Sequence, residues 1–442
     1  MPRSLEQWLA YQSQLHPRTI DLGLDRLRQV QSCLGWRQPA VPVITVAGTN
    51  GKGSVSAFCA SILGAAGFRV GTFTSPHFRD YRERIRIHDR LVRADELVAA
   101  FERIEAARGE IALTFFEFNT LAALLVFEAA ALDAWVLEIG LGGRLDAVNV
   151  VDPDVAVVVS IGLDHQEYLG TTLEAIAREK AGIFRKERPA ILGSRDMPEI
   201  VEELARTMGA PVKRLGREYT YTHQAGTWHF RGARWDLPGL PAPGLRGEAQ
   251  YANAATAIAA IEEITLWRTI SPAAIAQGIK ETQLAARFQV IAPAHPGAPT
   301  WILDVAHNPA AAGVLAQNLR DTAGDSRTLA VFGILADKDA EGVAAELQGC
   351  VDAWWCVSTE GERGRNAADL ARMIGRQVTV PVEVADSPAA GCAAALADAK
   401  PADRIVVFGS FHTVGPALDW LEAHDFLPRA KLPEYTAAPR AT

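Results

Sequence analysis

A glycine-rich segment with one lysine, GTNGKGS at residues 48–54, stands between an apolar run and a helix-like stretch. Glycines let successive backbone N–H groups face a phosphate, a helix start adds partial positive charge, and a lysine reaches the outer phosphates. The spacing departs from the common Walker A pattern, because Val46 stands where a glycine is expected. A glycine-rich turn with an incidental lysine is the alternative, but the flanking strand and helix favour phosphate binding.

A hydroxyl, a carboxylate and an imidazole follow predicted parallel strands at Ser75, Glu138 and His165. Open α/β sheets bind their ligands just beyond the carboxyl ends of such strands. Each residue also has a structural interpretation: a turn before Pro76, a buried helix cap and a loop histidine. Together, beside a phosphate loop, they indicate a Mg²⁺ site, because Mg²⁺ prefers oxygen ligands and commonly bridges nucleotide phosphates. The histidine is the less usual ligand.

Lys180 lies on a predicted helix in the segment AREKAGIF, residues 177–184. A lysine on a helix usually belongs to a solvated face, and the residues by themselves favour that interpretation. The segment LEIGLGGRLDAVN, residues 137–149, carries three glycines without periodicity and is predicted to be a loop that leaves a strand. Loops of this kind on a rigid scaffold are expected to contact substrate.

Further along the chain, polar residues again follow predicted strands. Asp304 comes first, with His307 and Asn308 after it, and Ser410 with His412 follows a later strand. Asp304 fits a helix cap and a contact with the nucleotide ribose equally well, and both interpretations stay open.

The elements that must position these residues alternate between strands and helices. Strands are predicted at residues 41–47, 69–74, 134–140 and 154–162, and helices at 54–66 and 118–130. Continuous apolar strands belong in a parallel sheet that is covered on both faces. A region rich in tryptophan and glycine, about residues 211–247, is predicted to form short antiparallel strands.

A second alternating series predicts another α/β domain. Its strands are expected at residues 301–308, 328–334, 353–358, 378–385 and 404–410. The boundary is expected in the proline- and glycine-containing segment 290–300. We therefore predict an ATP-binding domain, residues 1–290, with a phosphate loop and a mostly parallel sheet, and a smaller Rossmann-like α/β domain, residues 291–442.

Composition excludes several classes of protein. Of 442 residues, 49% are hydrophobic and 22% charged, which supplies enough apolar surface for folded cores. A net charge of -8 argues against a nucleic-acid partner. Five cysteines without a CxxC pair argue against disulfides or structural zinc and suit a reducing cytoplasm. The chain lacks a signal-peptide pattern and an apolar run of the roughly 18 residues that span a bilayer, so we expect a soluble cytoplasmic protein without a membrane partner.

With these motifs placed, the chain resembles the Mur-ligase-like superfamily, and specifically the bacterial folylpolyglutamate synthases that also have dihydrofolate synthase activity. The resemblance extends from end to end. It rests on HPRTIDLGLDRL (16–27), AGTNGKGS (47–54), TSPH (74–77), TFFEFNTLAAL (114–124), LEIGLGGRLDAVN (137–149), LDHQEYLG (163–170), REKAGIF (178–184), DVAHNP (304–309), FGILADKD (332–339) and GSFHTVG (409–415).

The resemblance implies a role for each matching position. For ATP these positions are Thr49, Asn50, Gly51, Lys52, Gly53, Ser54, Asn253, Arg287 and Asp304. For the pterin they are Ile20, Asp21, Leu22, Thr114, Phe115, Phe116, Glu117, Leu145, Asp146 and Ala147. The implied metal ligands are Ser75, Glu138, His165 and a carbamate on Lys180, and the implied glutamate contacts are His307 and Ser410. Lys52, Lys180 and His307 are the implied catalytic residues.

The resemblance also implies the reaction and the small molecules in it. A substrate carboxylate attacks the γ-phosphate of ATP, and the amino group of glutamate displaces phosphate from the resulting acyl phosphate. The implied substrates are dihydropteroate, tetrahydrofolate and L-glutamate; the implied cofactors are ATP and two Mg²⁺ ions, with K⁺ as a further candidate, and the implied state is a monomer. One departure from the family pattern is Ala286, where the family usually has glycine. If the backbone there needs a positive φ, alanine is strained, and this strain bears on the placement of Arg287.

Three alternatives remain open at this point. A peptidoglycan Mur ligase would carry an additional N-terminal domain, but only about forty residues precede the strand at Val41. A monofunctional folylpolyglutamate synthase is closer, and the IDLGL segment argues against it because it resembles the dihydropteroate-binding stretch of bifunctional members. A nucleotide-dependent switch without ligase chemistry is the third.

Overall fold

The computed structural model describes residues 3–224, 226–293, 297–324 and 326–427. They divide into two compact units. The first contains the described residues up to Gly244 together with Tyr251–Thr282, and the second contains Leu245–Gln250 and the described residues from Gln283 onward. The domain boundary proposed at residue 290 stays a prediction, and residues 294–296 of its linker lie outside the described residues.

The first unit is built on an eight-stranded sheet of order β4-β3-β2-β5-β1-β6-β7-β8. Its strands are β1 Val43–Ala47, β2 Val70–Phe73, β3 Ile85–Ile87, β4 Arg90–Leu91, β5 Ala134–Glu138, β6 Val155–Val158, β7 Ala190–Leu192 and β8 Val212–Arg214. β4 pairs antiparallel with β3, and β3 pairs antiparallel with β2. The other six strands, in the order β2, β5, β1, β6, β7 and β8, run parallel to one another. Every residue of the central strands β1, β5 and β6 is buried, as expected for a sheet covered on both faces.

Ten α-helices accompany the strands along this part of the described chain. They are α1 Leu5–Gln14, α2 Asp25–Cys33, α3 Lys52–Ala65, α4 Ala94–Arg108, α5 Phe115–Ala129, α6 Gln166–Leu169, α7 Leu173–Ala181, α8 Glu199–Met208, α9 Ala249–Glu263 and α10 Pro272–Glu281. Two 3₁₀ helices occupy Tyr81–Arg84 and Ala147–Val150. The core on one side of the sheet includes aromatic residues of α4 and α5, among them Phe101 and Phe118.

A three-stranded antiparallel sheet follows β8, as the sequence predicts for this region. It has the order β11-β10-β9, formed by β9 Thr220–Gln224, β10 Thr227–Arg231 and β11 Asp236–Pro241. The buried carboxylate of Glu262 on α9 accepts three backbone N–H groups from the turn between β10 and β11, at Ala233, Arg234 and Trp235. This anchor fixes the small sheet on the helix that also carries Asn253.

The second unit holds a six-stranded sheet of order β12-β13-β17-β14-β15-β16. Its strands are β12 Gln289–Ile291, β13 Thr300–Leu303, β14 Thr328–Phe332, β15 Ala353–Val357, β16 Val382–Ala385 and β17 Arg404–Phe408. Its helices are α11 Pro309–Asp321, α12 Ala340–Glu346, α13 Ala367–Ile374, α14 Pro388–Asp398 and α15 Phe411–Ala423. All neighbours in this sheet are parallel except β12, which pairs antiparallel with β13 at one edge.

The predicted fold class is therefore confirmed: two α/β units, each with a mostly parallel sheet. Within the described residues, no helix is both long enough and apolar enough to cross a membrane.

Candidate active site

Four segments with predicted functional residues leave the same edge of the first sheet. The strands β2, β5, β1 and β6 are neighbours in this order and run parallel. Ser75 follows β2, Glu138 ends β5, the phosphate loop follows β1, and His165 follows β6. Because the carboxyl ends of parallel strands meet at one edge, the topology brings the predicted phosphate and metal groups to one side.

The phosphate loop turns into α3 at Gly51, which precedes the helix with a φ of 85°. A Cβ added at Gly51 would lie 2.8 Å from Val159 Cγ1 and 2.9 Å from Asn253 Oδ1. The position therefore requires glycine for both its backbone angle and its space. The same contact places Asn253, a predicted ATP residue, directly beside the loop.

Ser160 holds the phosphate loop in shape, and sequence reasoning did not single it out. Thr49 N donates to Ser160 O over 2.9 Å, and Asn50 N donates to Ser160 Oγ over 3.0 Å. Gly162 N donates in turn to Thr49 Oγ1 over 2.9 Å. The signal in the sequence was a hydroxyl that interrupts the apolar run DVAVVVSIG, residues 154–162.

Two lysines donate to the same backbone carbonyl of the phosphate loop. Lys52 Nζ lies 3.0 Å from Gly48 O and 3.2 Å from Thr49 O, and Lys180 Nζ lies 3.0 Å from Gly48 O. Lys180 is only 5% exposed, so the interpretation as a solvated helix face is wrong. Burial and, after it, the charge of Lys52 lower the pKa of Lys180 to about 7, against the opposing charges of Asp164 and Asp146.

A loop residue, Gly143, explains how Lys180 becomes buried. A Cβ at Gly143 would lie 2.7 Å from Glu179 O and 2.9 Å from Lys180 O, so the loop after β5 approaches the end of α7 as closely as glycine permits. Arg144 N donates to Glu179 O over 2.7 Å, and Asn149 Nδ2 donates to Gly182 O over 3.1 Å. The predicted loop thus covers the helix that presents Lys180.

The predicted metal ligands offer a hydroxyl, a carboxylate and an imidazole. Glu138 ends a strand, in register with Val46 of β1, so the alternative of a helix cap is wrong. Its Oε2 lies 3.4 Å from Ser75 N, which brings the Ser75 backbone to the carboxylate. His165 stands at the start of α6 with a φ of 50°, and its Nε2 lies 3.9 Å from Asp164 Oδ2.

The carboxylate and hydroxyl oxygens of Glu138 and Ser75 are of the kind that a hard divalent cation prefers. Glu138 is buried, while Ser75 and His165 are partly exposed. Across the described parts of the chain, no group of three or more His, Cys, Asp and Glu side chains is placed to hold a metal ion by itself. The predicted set contains two residues of those types, Glu138 and His165, so its role as a metal site stays a prediction.

Two of the segments predicted to hold the pterin are joined by Arg26. Its Nη1 donates to Asp21 Oδ2 over 2.6 Å, and its Nη2 donates to Asp21 O over 2.8 Å and lies 3.2 Å from Glu117 Oε1. Glu117 Oε2 also accepts from Thr114 N and Thr114 Oγ1, as a capping box at the start of α5. Ile20, Leu22, Phe115 and Phe116 are neighbours in these same segments.

The third pterin segment reaches the first through a backbone hydrogen bond. Gly23 N donates to Leu145 O over 3.2 Å. The adjacent Asp146 is buried, and its carboxylate accepts from Leu141 N and Val148 N, which shapes the turn around Ala147. Burial raises the pKa of Asp146 to about 7, and the backbone donors oppose this rise. The structure thus brings together the three segments to which the resemblance assigns the pterin, while their contact with a pterin stays a prediction.

Asp304 in the second unit is not a helix cap, because Asn308 caps α11 by accepting from Ala311 N over 2.9 Å. The Asp304 carboxylate instead accepts from Phe288 N and Ala306 N, each over 2.8 Å. Burial raises its pKa, and the neighbouring charge of Arg287 lowers it. These contacts hold Arg287 and Asp304 close together, while their contact with a nucleotide stays a prediction.

The two predicted glutamate contacts occupy separate loops of the second unit. Nδ1 of His307 lies 2.8 Å from Val305 O. Ser410 is buried at the start of α15, where its Oγ accepts from His412 N over 3.1 Å. Ser410 therefore acts as a helix cap, and any contact of either residue with glutamate stays a prediction.

Comparisons with known proteins agree with this geometry. Residues 46–261 match the Mur ligase middle domain, and residues 286–411 match the glutamate ligase domain of Mur ligases. The dihydrofolate synthase/folylpolyglutamate synthase of Escherichia coli strain K12 is 45% identical over 95% of this chain and 96% of that protein. The chain belongs to the dihydrofolate synthase/folylpolyglutamate synthase family. It is an ATP-dependent ligase of the Mur type.

Two solved structures of the family have the same fold. E. coli FolC in complex with DHPP and ADP matches with a TM-score of 0.90 and 44% identity, over 96% of this chain and 99% of that one. The bifunctional folylpolyglutamate synthase/dihydrofolate synthase of Yersinia pestis, complexed with AMPPNP and Mn ion, matches with a TM-score of 0.87 and 42% identity, over 95% and 98%.

Ala286, which departs from the family pattern, adopts a left-handed backbone with a φ of 52°. We expect Ala286→Gly to change the free energy of unfolding little. Glycine relieves about 1–2 kcal/mol of backbone strain in the folded state. It also loses a buried methyl, at about 0.8 kcal/mol, and makes the unfolded chain more flexible, at roughly 0.4–1 kcal/mol, so the two sides nearly cancel. Ala312→Gly, at an equally buried helical position, should cost about 2 kcal/mol. Urea unfolding of both variants checks this, and equal losses would contradict strain at Ala286.

Proposed function

We propose that this protein joins L-glutamate to dihydropteroate, and to reduced folates such as tetrahydrofolate, in one active site driven by ATP. The observation that carries the proposal is the common sheet edge, where a phosphate loop with two lysines lies beside Glu138. Such a loop supplies the charge neutralisation that phosphoryl transfer needs. The three joined segments around Asp21, Glu117 and Leu145 supply a place for the pterin on the same unit.

The residues of the phosphate loop have separate tasks in this proposal. The backbone N–H groups of residues 49–54 and the start of α3 bind the phosphates of ATP, and Lys52 orients and neutralises the outermost one. Asn253, Arg287 and Asp304 contact the rest of the nucleotide. The substrate carboxylate then attacks the γ-phosphorus as the bond to ADP breaks, and glutamate displaces phosphate from the acyl phosphate.

We propose that Mg²⁺ is the metal, in two ions, and that Ser75, Glu138, His165 and a carbamate on Lys180 hold them. Bound there, Mg²⁺ would supply further neutralisation of the phosphate charge. The Mn ion with AMPPNP in the Y. pestis relative supports a divalent cation in this family. K⁺ is a further candidate ion. His307 and Ser410 are proposed to contact the incoming glutamate.

The cellular compartment and the oligomeric state of the protein are also proposals. All five cysteines are free thiols, which supports a reducing cytoplasm. A monomeric state stays a prediction from the sequence.

We expect both activities to compete for one site, because the sequence carries one phosphate loop for two reactions of identical chemistry. Purified protein is given ATP, Mg²⁺ and labelled glutamate, with dihydropteroate, tetrahydrofolate or both. Each pterin should inhibit conversion of the other, with an inhibition constant close to its own KM. Additive rates with both substrates saturating would show two independent sites, and a lack of glutamate-dependent phosphate release would exclude the ligase itself.

A further inference from the structure

Arg84 is a buried arginine that the site described above leaves without a task. It ends the 3₁₀ helix Tyr81–Arg84, and the residue is only 8% exposed. Its Nε donates to His77 Nδ1 over 2.7 Å, and its Cζ lies 5.7 Å from the centroid of the Phe115 ring. These contacts hold the Nε atom and one face of the guanidinium group in place.

The outer half of the guanidinium is not satisfied. Among the residues that the structure describes, neither terminal nitrogen of Arg84 has a hydrogen-bond or ion-pair partner. The adjacent Glu83 acts on Arg84 only through its charge, because its carboxylate accepts backbone N–H groups of residues 78–80. The charges of Glu138 and Glu83 act on Arg84, but neither carboxylate is hydrogen-bonded to it, so its planar fork of N–H donors is left for a further acceptor. The group is therefore expected to meet an anion from outside the chain.

The neighbours of Arg84 indicate where that anion lies. Phe115, in a segment proposed to hold the pterin, packs against the guanidinium, and Glu138, the proposed metal ligand, is near enough for its charge to act on Arg84. The reacting carboxylate of the substrate must lie between the pterin and the transferred phosphate. Arg84 is thus close both to a proposed pterin residue and to a proposed metal ligand, as a group that holds this carboxylate has to be.

We propose that Arg84 binds the carboxylate of the pterin substrate, the group that receives the γ-phosphate. This inference rests on the function proposed above. The planar fork of a guanidinium matches a carboxylate with two parallel hydrogen bonds, and it fixes the direction of the attacking oxygen. It also offsets the repulsion that Glu138 exerts on a second carboxylate. Lys52 and Lys180 serve the phosphate loop instead, where both donate to Gly48 O.

The test compares two ligands that differ only at the proposed contact, dihydropteroate and its carboxamide. Their dissociation constants are measured by calorimetry with AMPPNP and Mg²⁺ present, for the wild type, Arg84→Met and Arg84→Lys. We expect the wild type to prefer the carboxylate by roughly tenfold to a hundredfold, as for hydrogen bonds between charged groups. Arg84→Met should bind both ligands about equally, and Arg84→Lys should lie between, because it keeps the charge and loses the fork.

Arg86→Met is the matched control. It removes one positive charge from the adjacent strand β3, where Arg86 pairs with the exposed Asp89 at 3.4 Å, and it should keep the wild-type preference. The ratio of the two constants does not depend on the folded fraction, so partial misfolding of Arg84→Met does not hide the result. The proposal is overturned if the wild type shows no preference, or if the variants lose affinity for both ligands equally, which is the signature of a packing role.

Two further readouts separate this inference from the function on which it rests. Wild-type protein that shows no glutamate-dependent phosphate release with dihydropteroate would refute the proposed function itself. Normal turnover with an unchanged carboxylate preference in Arg84→Met would refute the inference alone. A loss confined to the dissociation constant of AMPPNP, or to the KM for glutamate, would assign Arg84 to another anion and overturn it too.

Discussion

Replacement of Lys52 by alanine is expected to abolish turnover with either pterin substrate while the fold stays intact. Lys52 Nζ donates to two carbonyls of the phosphate loop at the start of α3, where it can turn to the outermost phosphate of ATP. Removing one charge contact from a transition state typically costs about 10²–10³ in rate. The two hydrogen bonds that are lost are partly exposed to solvent. Gly48 O keeps Lys180 as a donor and Thr49 O can accept from water, so the free energy of unfolding should fall by only about 1 kcal/mol.

The measurement is kcat with saturating ATP, glutamate and either pterin, accompanied by thermal unfolding. Lys52→Arg keeps the charge but not the compact ammonium, so we expect it to stay far below the wild type. Lys186→Ala is the matched control, because Lys186 is exposed and pairs only with the exposed Glu187 among the described residues. Retention of a tenth of wild-type activity by Lys52→Ala, with a normal unfolding temperature, would remove Lys52 from the proposed chemistry.

The central strands were predictable because both of their faces are buried. Every residue of β1 and β5 is buried, so the apolar runs in the sequence carry the signal. The end of β6 was not predictable in this way. The predicted strand at residues 154–162 stops at Val158, because the backbone and side chain of Ser160 bind the phosphate loop instead of a neighbouring strand.

The edge strands of the sheets are harder to predict, because their pairing depends on contacts between residues that are distant in the sequence. The domain boundary was expected within residues 290–300, and the first two residues of that segment belong to the antiparallel edge strand Gln289–Ile291, which pairs with β13. The paired residues are ten to fourteen positions apart in the sequence, and only tertiary structure selects the pairing. In the first unit, by contrast, the antiparallel strands after β8 were predicted from the tryptophan- and glycine-containing composition of residues 211–247.

The candidate site divides in the same way. Loop motifs such as GTNGKGS could be recognised from the sequence, because glycines spaced around a lysine between a strand and a helix are typical of phosphate binding. The burial of Arg84 was not visible, because it lies in a stretch rich in arginine and acidic residues that is typical of a solvated surface. Arg26 was missed for a similar reason, since its partners Asp21 and Glu117 are brought together by the fold.

Lys180 is expected to carry a carbamate in the active enzyme. Two ammonium groups, those of Lys52 and Lys180, donate to the one carbonyl of Gly48, and the nearby Glu138 and His165 are proposed metal ligands. A second ammonium there would repel any bound cation, whereas a carbamate reverses the charge. In the reaction, the neutral amine attacks the carbon of CO₂ and loses one proton. The remaining N–H can still donate to Gly48 O, so the observed hydrogen bond is compatible with the modified residue.

Formation of the carbamate requires a neutral amine, and the surroundings of Lys180 provide it. Burial and the charge of Lys52 lower its pKa to about 7, far below that of an exposed lysine. At a fixed concentration of CO₂, the reactive fraction therefore rises as the pH increases through about 7. Lys186 is exposed and lacks the burial that favours the neutral amine at Lys180, so it should not be modified.

Replacing Lys180 by alanine should remove the anion and lower kcat by about 10²-fold or more, and added formate or acetate should restore part of the activity by occupying the vacated space. The direct measurement is ¹³C NMR with labelled bicarbonate. Wild type and Lys186→Ala should show a protein-bound carbamate signal, and Lys180→Ala should lack it. A crystal of active enzyme with nucleotide and Mg²⁺ gives an independent check. A bare amine at Lys180 in well-resolved density, with no carbamate signal in solution, would end the hypothesis, because the anion proposed to act there would be absent from a working site.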